Sequence, residues 1–137
     1  MKTSSISISL FFIILIVTNC TAPRKTTADT KSKPKAKTED FDKFYDKFHK
    51  DSKFQMSRLR FPLKGHNEAG KEWTPANWHV MKGRIYDVDR TKYKVDYKKT
   101  DTEFYQKVWL DGSEFNSECR FQLIGGKWYL VYSLEMN

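Results

Sequence analysis

Three histidines, His49, His66 and His79, and two cysteines, Cys20 and Cys119, are the side chains of this 137-residue chain best suited to metal ligation or nucleophilic attack. A tetrahedral metal site needs three or four converging donors, and neither Cys-x-x-Cys nor His-x-x-x-His spacing is present. No metal site and no resident cofactor is expected, and the histidines read as surface or cap residues. Proton transfer would need a desolvated carboxylate or histidine beside an oriented donor. Asp96 sits between Val95 and Tyr97 in an alternating segment, a position that faces water. Tyr97, Tyr105 and Tyr129 have hydroxyls that could serve an oxyanion, yet a packed ring with a wet hydroxyl is the ordinary state of tyrosine. Gly125-Gly126 has no helix after it, so it is no phosphate loop. No catalytic residue set emerges. Cys119, inside the apolar-rich stretch 115–124, reads as a small core residue.

Cys20 is different, because of what precedes it. Residues 10–17 form an unbroken apolar run after Lys2, far short of the roughly 20 residues needed to cross a bilayer as a helix. Val17-Thr18-Asn19-Cys20 follows and resembles the lipobox of bacterial lipoprotein signal peptides, although Asn19 stands where a small residue is usual. The resemblance implies cleavage after residue 19 and lipid on Cys20, which would anchor the protein to a membrane of the bacterial cell envelope. Residues 20–38 then read as a disordered basic tether, carrying Arg24, Lys25, Lys31, Lys33, Lys35 and Lys37 against the single acid Asp29. The tether lacks an acidic cluster after the cysteine, which favours a periplasm-facing location.

From Glu39 onward there are 18 basic and 16 acidic residues, so most of the net charge of +8 belongs to the leader and tether. A near-balanced domain lacks the concentrated basic face that nucleic-acid binding needs. Residues 39–137 are read as one domain, with 19 aromatic side chains to supply its burial.

The elements that would position these side chains follow from periodicity. Phe41, Phe44, Tyr45 and Phe48 recur at helical spacing, predicting an amphipathic helix over 39–50 and a further helical turn over 51–55, broken by Phe61-Pro62-Leu63. Thr74-Pro75 and Gly83 predict a short helix over 75–82 that carries Trp78 and Met81. Strands are expected over 93–98, 104–110, 115–124 and 127–134, the last two joined by a two-residue turn at Gly125-Gly126. The fold class is α+β, with N-terminal helices packed on a strongly curved antiparallel sheet.

Phe41-Asp42-Lys43-Phe44, Phe48, Asp51, Phe54-Gln55, Arg58, Arg60-Phe61-Pro62-Leu63, Trp73, Trp78 and the closing 121–131 segment together resemble a family of Bacteroidetes envelope lipoproteins of unknown function. That family is similar to nuclear-transport-factor-2-like domains, which implies a conical fold. It implies no catalytic residues.

Two functions compete on this basis. The first is a non-catalytic module that binds a small apolar ligand or a protein, its pocket walled by Phe41, Tyr45, Phe48, Trp78, Tyr97 and Trp109. The second is a small-molecule enzyme of the isomerase or dehydratase kind using the same cavity. Arg58 and Arg60 share strand parity and would either contact an anion or pair with acids of the first helix. A homodimer through an outer sheet face bearing Tyr105, Trp109, Phe115 and Trp128 is a third arrangement. Nucleic acid is not expected as a partner.

Overall fold

The computed structural model describes residues 37–137; the signal segment, Cys20 and nearly all of the tether lie outside them. Asp40 caps α1 (Phe41–Lys50) by accepting the Lys43 backbone N–H at 2.9 Å. Asp51 serves two helices at once. Its N–H closes α1 on the Lys47 carbonyl at 3.0 Å, and its carboxylate accepts Phe54 N–H at 3.0 Å to open α2 (Ser52–Ser57). The chain continues through β1 (Leu59–Lys64), a single 3-10 turn at Ile85–Asp87, then β2 (Lys94–Lys99), β3 (Glu103–Trp109), β4 (Asn116–Ile124) and β5 (Lys127–Met136). Among the described residues no helix is long and apolar enough to cross a membrane.

The five strands lie in the order β1-β5-β4-β3-β2. Three neighbouring pairs are antiparallel, but β1 runs parallel to β5, so the sheet is mixed where an antiparallel one was expected. Pro62 suits this position, because an edge strand has an unpaired side on which a missing N–H costs nothing. Arg120 pairs with Tyr132 and Phe121 with Leu130, leaving Val131 as an extra residue in β5. Such a bulge bends the strand and adds to the curvature.

One face of the sheet is covered. Phe41, Phe44, Tyr45 and Phe48 meet Phe104 and Phe121 at ring separations of 4.6 to 6.4 Å, mostly tilted or edge-on. Each such ring contributes about 1.5–3 kcal/mol by burial, so this cluster is the main source of the fold's stability. Leu130, Cys119 and Trp128 complete the floor. Trp128 thus belongs to the inner face, not the outer one expected for it. It pairs with Leu123 on the inward parity and donates Nε1–H to the Glu39 carbonyl at 3.1 Å.

The predicted helix over 75–82 does not form. Thr74 and Asn77 cap one another reciprocally, with Asn77 N–H on Thr74 Oγ1 and Thr74 N–H on Asn77 Oδ1, and close a single turn. Beyond it the backbone is drawn out, because Trp78 Nε1–H and Met81 N–H both donate to Gln55 Oε1, at 3.0 and 2.9 Å. Tertiary hydrogen bonds outweigh the modest preference of a capped eight-residue segment for helix.

Candidate functional site

The residues expected to wall a cavity lie in three places. Phe41, Tyr45 and Phe48 pack against the sheet and Trp78 stacks edge-on against Trp73 at 5.0 Å; all four are buried. Tyr97 is 40% exposed, on the inner parity of β2 but beyond the reach of α1, with its ring 5.4 Å from Tyr86. Trp109 sits across the sheet, bonded through Nε1–H to Asp111 at 3.0 Å. Their types are those of a pocket wall, but the fold distributes them among core, edge and outer surface.

The interior also holds polar chemistry that periodicity did not reveal. Tyr45 donates its hydroxyl to Gln106 Oε1 at 2.5 Å and accepts Ile85 N–H at 3.0 Å. Burial pushes this phenol well above its ordinary range, so it stays a donor. His49, expected at the surface, is buried instead, since it extends the Tyr45 side of the apolar stripe by one turn. Its Nδ1 donates to the Tyr45 carbonyl at 2.8 Å while its Nε2 has no partner.

Burial lowers the His49 pKa below the ordinary 6.5; Arg84 adds to this, while the Tyr45 carbonyl, Asp87 and Asp46 oppose it. The unfolded chain therefore takes up this proton at a higher pH than the folded one. The sign follows: His49 leaves stability intact above its unfolded value and erodes it as pH falls through 6.5. We expect the thermal midpoint to fall from about pH 7 to about pH 5, with a shallower slope in His49→Leu; equal slopes would place the acid sensitivity elsewhere. Glu135 acts in the opposite direction. Desolvation raises its carboxyl pKa, so the folded state gains on acidification.

Glu135 is also the centre of an open corner. Its Oε1 meets His79 Nε2 at 3.0 Å, and both line a cleft of about 320 Å³ with Glu68, Asn116 and Ser117. A carboxylate and a histidine in contact could move a proton. The His79 side chain is 60% exposed, however, and the site lacks the dry surroundings that make such a pair effective. Cys119 is buried 3.7 Å from Ser133 Oγ, with its thiol pushed up to about 12, and has the inert setting of a core residue.

Arg58 and Arg60 separate. Arg58 is sandwiched between Phe54 at 4.6 Å and Tyr129 at 5.5 Å and forks onto Glu39 at 2.9 and 3.0 Å. Its partner is the residue before the first helix's cap, and the ion pair ties the start of the domain to the α2–β1 junction, while both side chains also hold the start of β5, Glu39 by accepting Trp128 N–H and Arg58 by donating to the Trp128 carbonyl. Arg60 is exposed, with its guanidinium 5.8 Å from the same Tyr129 ring, and lines a cleft of about 280 Å³ with Pro62, Lys64, Arg120, Ile124 and Tyr132.

That cleft lies on the sheet face turned away from the helices, and the register shows what the face carries. Lys64 pairs with Tyr132, Tyr132 with Arg120, Arg120 with Tyr105 and Tyr105 with Lys98. Cations and tyrosines therefore alternate in one row across all five strands. Arg120 lies 5.9 Å over the Tyr132 ring and borders both the Arg60 cleft and a second one, of about 400 Å³, holding Lys98, Glu103, Tyr105 and Glu118. Single-sequence parity could place Tyr105 and Arg120 on outward positions but would group Tyr132 with the inward Trp128 and Leu130; only strand pairing and the bulge at Val131 bring the three into one line.

No curated protein matches the chain. A solved NMR structure of a protein from Bacteroides uniformis ATCC 8492 is 27% identical, with a TM-score of 0.55, and the match covers 72% of this chain and 77% of that one. A protein-family model matches residues 39–136, which is all of the described domain but its first two residues and its last. On that match the chain belongs to the uncharacterised family that the model describes.

Proposed function

We propose that this protein is a non-catalytic binding module of the bacterial envelope, held to a membrane by lipid on Cys20, facing the periplasm, and engaging its ligand or protein partner through the uncovered face of its sheet. One observation carries the binding part. The interior is filled, with Tyr45, Phe44, Phe48, Phe104 and Phe121 all under 2% exposed, whereas the opposite face is left open by every described element. That open face still holds Tyr105, Tyr129, Tyr132, Trp109 and Val131, more ring and aliphatic surface than a solvated sheet face requires. A cavity enzyme of the isomerase or dehydratase kind is the weaker reading, because its proton-transfer pair, Glu135 and His79, lies in a wet corner. The helix pair on a bent sheet also supports reading the domain as a nuclear-transport-factor-2-like cone.

Two measurements test this. Cys20→Ser should release the protein from membranes, and unchanged membrane association in that variant rejects lipidation there. A photo-crosslinking phenylalanine analogue at Tyr132 should yield adducts in intact cells, while the same analogue at exposed Tyr86, on the helix side, should not. Adducts from Tyr86 alone would move the binding surface to the other face.

A further inference from the structure

The alternating row on the open face has the chemistry of a track. Lys64, Arg120 and Lys98 stand on every second strand, and neighbouring strands lie about 4.8 Å apart, so successive cations are separated by about 10 Å and the row spans about 19 Å. Tyr132 and Tyr105 fill the intervals. Lys64 and Lys98 make no ion pair among the described residues. Arg120 has only Glu103, at 3.8 Å. No carboxylate lines the Arg60–Lys64–Arg120 cleft. We propose that this row binds an acidic polysaccharide, its sugar rings resting on the two tyrosines and its carboxylates or sulfates meeting the cations between them. The assignment rests on the open face being the binding surface and names the class of ligand that face takes.

The pattern discriminates among polyanions. A disaccharide unit bearing one acidic group presents charge at about the interval of two strands, and tyrosine offers a rigid amphipathic platform at low entropic cost. A nucleic acid strand carries a phosphate on every nucleotide and requires a continuous cationic groove. Here Glu103 and Glu118 line the same cleft as Lys98 and Arg120, and Lys107 is already engaged by Glu118 at 2.9 Å. The flanking acids oppose a densely charged backbone and tolerate a sparsely charged one.

The test is titration of the full chain, in a neutral detergent without sugar groups, with hyaluronan oligosaccharide, with the same oligosaccharide after its carboxylates are reduced to alcohols, with oligo-thymidine and with polyglutamate. Hyaluronan should bind, more weakly as salt rises, and carboxyl reduction should cost at least tenfold in affinity. Arg120→Glu and Lys98→Glu, both exposed and so compatible with folding, should each lower affinity about tenfold; Tyr132→Ala should lower it severalfold without changing the salt dependence. Retained affinity in Arg120→Glu would assign the binding to the basic tether and overturn the proposal. Tighter binding of oligo-thymidine or polyglutamate would replace the glycan by nucleic acid or acidic protein. Absence of hyaluronan binding alongside persistent cross-links at Tyr132 would refute the glycan while leaving the open face as the binding surface.

Discussion

Gln55→Leu should destabilise the domain by about 3–4 kcal/mol and lower its thermal midpoint by about 15–25 °C. Gln55 is fully buried at the seam between α2 and the 72–84 segment, and its amide makes four hydrogen bonds. Nε2 donates to the Phe48 and Met81 carbonyls at 2.7 and 2.8 Å, and Oε1 accepts Trp78 Nε1–H and Met81 N–H. Leucine fills much the same volume but leaves two donors and two acceptors without partners. Each buried orphan costs about 1–3 kcal/mol, reduced here because Met81 is near enough to the surface for water to recover part of the loss. Gln55→Glu separates the polar term from the steric one. It retains acceptors for Trp78 and Met81 but sets a carboxylate against two carbonyl oxygens, so its defect should shrink as pH falls and the acid protonates. Urea denaturation of both variants measures this; a Gln55→Leu loss under about 1 kcal/mol would mean that water replaces the amide.

Gly65→Ala should be comparably damaging, at about 3–5 kcal/mol, for a backbone reason. Gly65 follows β1 with φ of 91°, and a β-carbon built on it would lie 2.1 Å from the Ser133 carbonyl oxygen and 2.7 Å from its carbon. Both obstructing atoms are main chain of β5, which is held by its pairing with β4 and by Trp73 Nε1–H on that same Ser133 oxygen at 2.7 Å. Relief therefore requires moving β1 off β5 or breaking the Trp73 bond. Gly70→Ala is the matched control: its φ is 69°, but nothing lies within 4 Å of its added carbon. It should lose only the left-handed penalty of about 1–2 kcal/mol. Equal losses in the two variants, measured by thermal and urea unfolding, would show that conformation alone, without the close approach, is responsible.

These two positions share a purpose. Gln55 and Gly65 both hold the long 65–93 connection and the β1 edge against the body of the sheet, and thereby keep the inner face closed. The open face can then be the binding surface without competition from an interior cavity. Substitutions there should leave stability nearly unchanged, since Lys64, Lys98 and Arg120 are exposed and loosely paired.

The amino-acid order by itself determined the local elements. The Phe41, Phe44, Tyr45 and Phe48 stripe is enough to define α1 and its buried side, and Asp40 and Asp51 mark where helices begin. Gly125 and Gly126, with φ of 58° and 81°, supply the positive dihedrals of a two-residue hairpin turn. These features depend on residues a few positions apart, where side-chain periodicity and turn chemistry act directly. The tertiary structure alone decided the rest. Thr74-Pro75 carries a genuine helix-start signal, but Gln55, some 20 residues earlier, draws the following segment out. Arg58 and Arg60 have one parity in the sequence, yet Glu39 and the rings of Phe54 and Tyr129 hold the first while the second stands in water. The row from Lys64 to Lys98 exists only through the register of five strands and the one-residue bulge at Val131. If Val131 were instead paired in regular register it would stand opposite Arg120, and Tyr132 would turn to the inner face. Strand register is a sum of many weak long-range contacts, and no stretch of neighbouring residues encodes it.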